Sequence, residues 1–278
     1  MPASAVLSQY TFANLGPMTT TYTAPAACYT PTQVGLAPDY LPEAVAYVST
    51  CAERFSASDC VQAGSVFDED WAESTRRFIH YYSPGLVCPD RWTTAGVASK
   101  GNGTAIDSTG VFAPTGFGTH APVYNPAWNI AMENLADGET AILCCPSGYT
   151  AGVGGGGCYT NLPVSMYTAT TGCQNLANPD AVSTVTFIFN GTTATGRDIG
   201  PGSATTTVST FQSGDLDEMT GISMLPMVTM YHRTVDVPPK ETNAAGKFGV
   251  KGGDGTIGTL VTVWASVALM GAILFGAA

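Results

Sequence analysis

The chain has 278 residues, enough to bury a sizeable core in one large domain or two small ones. Only 11% of the residues are charged while 10% are aromatic, and Gly, Pro, Ser and Thr are abundant; this excludes a disordered chain and points to an ordered, loop-rich β protein. Lys and Arg number 10 against 21 Asp and Glu, a net charge of −11, which repels a phosphate backbone and argues against nucleic acid as a partner.

The stretch 1–18 contains no Lys or Arg, the first being Arg54, and its longest apolar run is Ala5 to Leu7. A secretory leader needs a basic start and an apolar run of about 7 to 15 residues, so no signal peptide is expected there. Thr19 to Tyr22, β-branched and aromatic, predicts a strand closing on Cys28. Pro42 to Phe55 predicts a short helix, with Pro42 at its first position and apolar residues at helical spacing. Phe67 to His80 opens with Asp68, Glu69, Asp70 and Glu73 and continues to Arg76 and Arg77, the polarity a helix dipole prefers. From Phe78 the run FIHYY becomes strand-like and meets a Ser83-Pro84-Gly85 turn. Residues 93–122, rich in Gly, Thr, Ser and Ala without clear periodicity, predict surface loop.

The densest signal is Glu139 to Thr160, ETAILCCPSGYTAGVGGGGCYT. An apolar strand runs into Cys144 and Cys145, then a Pro-Ser-Gly turn, an aromatic, a glycine tract and Cys158. It has an upstream echo: Cys88, Pro89, Trp92 and Thr93 are spaced as Cys145, Pro146, Tyr149 and Thr150. Consecutive side chains of a strand point to opposite faces, and a bond between neighbours would fall outside normal disulfide distances. Ile142 to Cys145 is therefore expected to form a central strand held on both faces, with Cys158 the natural partner of one of its cysteines.

Val182 to Phe189 alternates Val185, Phe187 and Phe189 with Thr184, Thr186 and Ile188, the pattern of a half-buried strand, and Asn190-Gly191 follows as a hairpin turn. Thr205 to Phe211 and Ile222 to Tyr231 predict the last strands, with Pro226 marking the second as an edge or bulged strand. Residues 237–255 lose periodicity and read as a Pro, Gly and Lys-bearing linker. Residues 256–278 carry no charge and are long enough to cross about 30 Å of hydrocarbon as a helix. Asn243-Ala244-Ala245, a spacer from Gly246 to Gly258 and this apolar tail are the ingredients of a glycolipid-anchor signal, with Asn243 the anchor site. The alternative is a retained transmembrane helix, for which Lys240, Lys247 and Lys251 on its N-terminal side would place the domain in the cytosol.

Eight cysteines stand at 28, 51, 60, 88, 144, 145, 158 and 173 (Cys28, Cys51, Cys60, Cys88, Cys144, Cys145, Cys158, Cys173). No C-x-x-C pair and no closely paired Cys and His ligands occur, which weighs against zinc and for disulfides in an oxidising compartment; free thiols in a cytosolic protein are the alternative. Asn102-Gly103-Thr104 and Asn190-Gly191-Thr192 are glycosylation sequons in loop-like places, to be used if the chain enters the secretory pathway.

Signatures of catalysis are sparse. G-x-S-x-G, H-E-x-x-H and the Walker loop are missing. Gly154 to Gly157 has no basic neighbour and no following helix, so it reads as a flexible loop, not a phosphate cradle. His80, His120 and His232 are the histidines; His80 in an aromatic strand and His232 at a strand end read as structural. Asp68 with Asp70, and Asp215 with Asp217 and Glu218, leave carbohydrate hydrolysis open, since that chemistry depends on carboxylate separation in space. Asp215 to Glu218 lacks the full calcium loop of an EF-hand and reads as a solvated acidic turn. No metal or cofactor is expected.

Three blocks resemble a family of filamentous-ascomycete surface proteins: TTTYTAPAAC at Thr19 to Cys28, YSPGLVCPDRWT at Tyr82 to Thr93, and GETAILCCPSGY at Gly138 to Tyr149. The closing MLPMVTMYHRTVD segment before the linker is similar to that family's as well. The resemblance implies an ectodomain, a linker and an apolar C-terminal segment, and carries no catalytic residues. A signal peptide and a basic tail, both usual in the family, are not seen in this chain.

The sequence thus predicts a mainly β, disulfide-stapled, loop-rich ectodomain plus a C-terminal hydrophobic membrane helix, divided as 1–18, 19–236, 237–255 and 256–278. The expected function is that of a non-catalytic, membrane-anchored cell-surface or cell-wall glycoprotein, with the membrane, wall polysaccharide or surface proteins as partners. The alternatives are a secreted carbohydrate-active enzyme using Asp and Glu pairs, and a tail-anchored protein facing the cytosol.

Overall fold

Glu139–Pro146, the segment carrying the adjacent cysteines, forms an eight-residue strand (β7) with no exposed residue along it. The computed structural model describes residues 6–7, 10–31, 33–40, 47–51, 60–66, 69, 77–103, 105–113, 124–152, 157–176, 182–189, 191–199, 205–212 and 214–237. All of them fall in one compact unit, Met1–Pro238; the second unit, Pro239–Ala278, with Asn243 and the predicted membrane segment, lies outside the described residues.

β7 is an inner strand of a seven-stranded sheet. In spatial order the sheet runs β1 (Val6–Leu7), β2 (Tyr10–Asn14), β4 (Arg77–Tyr82), β15 (Val228–Arg233), β7, β5 (Trp92–Lys100) and β6 (Ile106–Gly110). β2 and β15 run parallel to β4 on either side of it, whereas β15, β7, β5 and β6 pair antiparallel. Residues 1–18, set apart in the sequence, thus supply two strands and the buried Phe12 and Met18 to this domain. A four-stranded sheet follows the order β3 (Gly35–Pro38), β14 (Met219–Pro226), β9 (Gly157–Leu162), β8 (Thr150–Ala151). Among the described residues there are two further, separate ladders, β10 (Thr171–Leu176) with β13 (Thr205–Thr210) and β11 (Val182–Phe189) with β12 (Thr192–Ile199).

Two of the chain's passages between the two larger sheets fall at a proline. Pro146 ends β7 before the chain enters β8, and Pro226 ends β14, one residue before β15. Proline has no N–H to extend a ladder, so it closes a strand cleanly. This corrects the expectation that Pro226 marks an edge. β14 lies between β3 and β9, and β15 between β4 and β7.

Side-chain alternation divides the core in two. Tyr81, Leu143, Cys145 and Tyr231 join one cluster with Phe12, Ile79, Trp128, Phe187 and Phe189. Tyr82, Cys144 and Met230 join the other with Met18, Trp92 and Val228. Sequence neighbours on three adjacent strands separate in this way because successive side chains leave a strand on opposite sides. Tyr81 packs edge-on against Tyr231 with centroids 5.2 Å apart, and Trp128 against Phe189 at 5.9 Å.

The β11–β12 hairpin agrees with the sequence. Phe187 and Phe189 are buried, Thr184, Thr186 and Ile188 are exposed, and Phe189 pairs with Thr192 across a two-residue turn. A helix that the sequence reading did not identify, Ala127–Glu133, holds the hairpin's inner edge. Its Glu133 Oε1 accepts the Ile188 N–H at 2.9 Å, and its Asn129 Nδ2 donates to the Ile188 carbonyl at 2.9 Å.

Other expectations are revised. Residues 19–22 are not a strand: 19–21 are exposed, leaving no face to bury, and a 3-10 turn, Ala26–Tyr29, carries Cys28. Within the helix predicted at 42–55, the described residues 47 and 48 are extended, bridging Leu36 and Cys173. Of the helix predicted from Phe67, Glu69 is helical and the strand begins at Arg77, while Asp68 and Asp70 lie outside the described residues. The stretch 93–122, expected as loop, instead holds β5 and β6. Its small residues hide the periodicity but serve close packing. A Cβ on Gly110 (φ +62°) would stand 2.1 Å from the Ala95 carbonyl oxygen.

Every cysteine is paired: Cys28–Cys60, Cys51–Cys173, Cys88–Cys144 and Cys145–Cys158. As strand geometry requires, Cys144 and Cys145 reach different partners, and Cys158 is one of them. The bond at Cys145 closes 13 residues and that at Cys144 closes 56, loops whose chain-entropy contributions are about 3 and about 4 kcal/mol. Converting either pair to alanine should lower the unfolding free energy in urea by about these amounts, the Cys88–Cys144 loss being the larger. A change below about 1 kcal/mol for both would show that neither bond holds the fold.

Burial pushes the phenols of Tyr82 and Tyr231 up, and Glu139 adds to the effect at Tyr231. An unfolded tyrosine ionises near pH 10, so above that pH the unfolded chain binds fewer protons than the folded one. Stability should be intact below about pH 10 and fall as pH rises beyond it. Urea midpoints measured from about pH 8 to 11 should show the decline, with the phenolate absorbance of these groups arriving together with unfolding.

Candidate functional site

The two Cys-Pro units stand side by side. β5 and β7 pair Trp92 with Pro146, Thr93 with Cys145 and Thr94 with Cys144, and the Cys88–Cys144 bond joins the units covalently. Each unit makes the same turn: the aromatic's N–H donates to the proline carbonyl three residues earlier, Trp92 to Pro89 and Tyr149 to Pro146, both at 3.0 Å. In each, the residue before the aromatic has positive φ, +58° at Arg91 and +85° at Gly148. The Ser147 N–H donates to the Arg91 carbonyl at 2.8 Å and ties one turn to the other.

The aromatics then diverge. Trp92 is buried in the second core cluster, whereas Tyr149 is half-buried with its hydroxyl 3.4 Å from Ser223 Oγ on β14. Tyr149 lines a cleft of about 290 Å³, partly open to solvent. β14 adds Ser223, Met224 and Leu225 to this wall. The opposite wall is the N-terminal segment with Ala27, Thr30, Pro31 and Gln33, fastened by the Cys28–Cys60 bond that also faces the cleft. Beside that segment the Arg91 guanidinium lies 4.4 Å from the Tyr29 ring centroid, and the Tyr29 hydroxyl donates to Asp90 Oδ2 at 3.5 Å.

Among the described residues that line the cleft there is no carboxylate, imidazole, amine or free thiol. These described residues offer hydroxyls, an amide and apolar surface, a lining chemically suited to an uncharged ligand. The acidic and imidazole groups singled out in the sequence stand elsewhere. Asp215 Oδ2 accepts the Gln212 N–H at 2.7 Å and so caps an exposed turn that also contains Asp217 and Glu218. His80 is buried and stacks on Phe78 at 5.6 Å; His232 lies on β15 with a buried Nδ1 that has no partner among the described residues. His120 lies outside the described residues. Among the described residues no group of three His, Cys, Asp or Glu is placed to hold a metal.

One charged residue went unremarked in the sequence. Glu139 is only 2% exposed; it accepts the Ala136 N–H at 3.0 Å and pairs with Arg233 Nε at 3.3 Å. Arg233 is its register partner on β15, so the pair fixes the alignment of the last strand among the described residues, and a buried charge without that partner would be costly. Of the sequons, Asn102 is exposed in the β5–β6 loop, and Asn190 lies outside the described residues. No helix among the described residues is long and apolar enough to cross a membrane. No family model, curated protein or solved structure matches the chain.

Arg91 provides a test of the turn. Its left-handed backbone is strained by about 1 to 2 kcal/mol relative to glycine, while its contact with Tyr29 contributes about 0.5 to 1 kcal/mol. Arg91→Gly exchanges one for the other and should leave stability close to wild type. Arg91→Ala loses the contact and keeps the strain, and should be less stable than Arg91→Gly by about 1 kcal/mol in urea denaturation.

Proposed function

We propose that this protein is a non-catalytic, membrane-anchored cell-surface or cell-wall glycoprotein. The observation that carries this reading is the pairing of all eight cysteines in four bonds across a mainly β domain, chemistry that belongs to an oxidising compartment. Supporting it are the exposed Asn102 of the first sequon, the acidic charge and the uncharged residues 256–278 behind a linker. The cleft supports a binding role over a hydrolytic one, since its described lining residues include hydroxyls and an amide but no carboxylate pair. The anchor is either a glycolipid attached at Asn243 or a retained helix at 256–278, as the sequence motifs propose.

Intact mass of the protein from its own membranes, with and without reduction and deglycosylation, tests this. The expected result is no alkylatable thiol before reduction, eight after it, and glycan at Asn102 or Asn190. Eight free thiols in the native protein and an unglycosylated chain ending at Ala278 would replace this reading with a cytosol-facing, tail-anchored protein.

A further inference from the structure

We propose that the cleft at Tyr149 is a carbohydrate subsite that takes one pyranose ring of a neutral polysaccharide. The choice of a wall polysaccharide as its source rests on the surface reading above. Four polar side chains converge on the cleft, Tyr149 and Ser223 from one wall and Thr30 and Gln33 from the other. Hydroxyls both donate and accept, and an amide does so through separate atoms; this matches the mixed donor and acceptor pattern of sugar hydroxyls. The Tyr149–Ser223 contact is long at 3.4 Å, which leaves both hydroxyls with capacity for a better partner.

Other ligand classes fit less well. The described lining residues include no cation, and the chain's net charge of −11 opposes phosphates and uronates. A purely apolar ligand would cover the Tyr149 and Thr30 hydroxyls without offering either a hydrogen bond. A drug-sized cofactor needs roughly 300 to 1,000 Å³, and the cleft of about 290 Å³ is at the bottom of that range. Being partly open to solvent, a cleft of that size lets a bound chain continue beyond it. Met224, Leu225 and Pro31 supply apolar surface for the C–H faces of the sugar.

The test is calorimetric titration of the purified full-length glycoprotein with the hexasaccharides of β-1,3-linked glucose, β-1,4-linked N-acetylglucosamine and α-1,6-linked mannose, and with oligogalacturonate as the anionic control. At least one neutral sugar should bind, at least about tenfold more tightly than the control. Tyr149→Ala should weaken that binding about tenfold or more, and Ser223→Ala by a smaller factor. Thr30→Trp, at an exposed position on the outer wall, should block the cleft without disturbing the core. It keeps the test decisive if Tyr149→Ala does not fold. No binding by any neutral hexasaccharide, or wild-type affinity in folded Thr30→Trp, would overturn the proposal. Four disulfides and glycan with no sugar binding would overturn the cleft assignment alone, whereas sugar binding by a protein with eight free thiols would overturn the surface reading alone.

Discussion

Two cysteines on consecutive positions of one inner strand constrain the whole domain. A strand sends neighbouring side chains to opposite faces, so Cys144 and Cys145 cannot serve the same cluster. Cys144 takes Cys88 into the cluster of Met18, Tyr82 and Met230, and Cys145 takes Cys158 into the cluster of Leu143, Phe187 and Tyr231. Both core clusters are thereby fastened to β7. Because Cys158 lies on β9 of the smaller sheet, the same strand is also bonded across the corner where the chain leaves one sheet for the other. The return crossing at Pro226 adjoins the same place, since Leu225 is the register partner of Cys158.

The repeated Cys-Pro unit shows how one local geometry serves two purposes. Both copies make the same turn and pair through adjacent strands, yet Trp92 completes a core and Tyr149 lines a cleft. The difference lies in what stands opposite each ring. Trp92 meets apolar neighbours on the large sheet, while Tyr149 meets Ser223, whose hydroxyl needs a polar companion in a buried setting. The non-glycine residue at the left-handed position of the first turn fits this division. Arg91 reaches Tyr29 on the cleft's outer segment, a contact that glycine at the equivalent place, Gly148, could not make.

The legible part of this fold was whatever rests on strong local chemistry. The period-two pattern at 182–189, the Asn-Gly turn and the opposed cysteines could each be read because one stretch contains all the information. The missed parts depend on partners far away. β5 has no recognisable pattern because small residues interrupt it, and at Gly96 the reason is distant: a Cβ there would stand 2.9 Å from the Thr109 carbonyl oxygen of β6. The Ala127 helix is only seven residues long, too short for propensity to declare it, and takes its stability from Trp128 and the hairpin it holds. Residues 47 and 48 carried a helical spacing that the bridge to Cys173 and the Cys51–Cys173 bond overrode. For the cleft, Tyr149 stood out as part of a motif, but Thr30, Gln33 and Ser223 are ordinary residues on distant segments, and nothing local joins them.

Both walls of the cleft are set by covalent bonds close to the residues that line it. The Cys28–Cys60 bridge fixes the segment bearing Thr30 and Gln33, and the Cys145–Cys158 bridge fixes the turn bearing Tyr149. A weakly polar site on a flexible loop would lose much of its affinity to ordering side chains and backbone on binding. Here that ordering is completed during folding, by the same bonds that hold the core. A few hydroxyls and one amide would be too weak to recruit a ligand from mobile loops, and a frame closed by disulfides is the physical condition under which the proposed binding role can rest on so few polar groups.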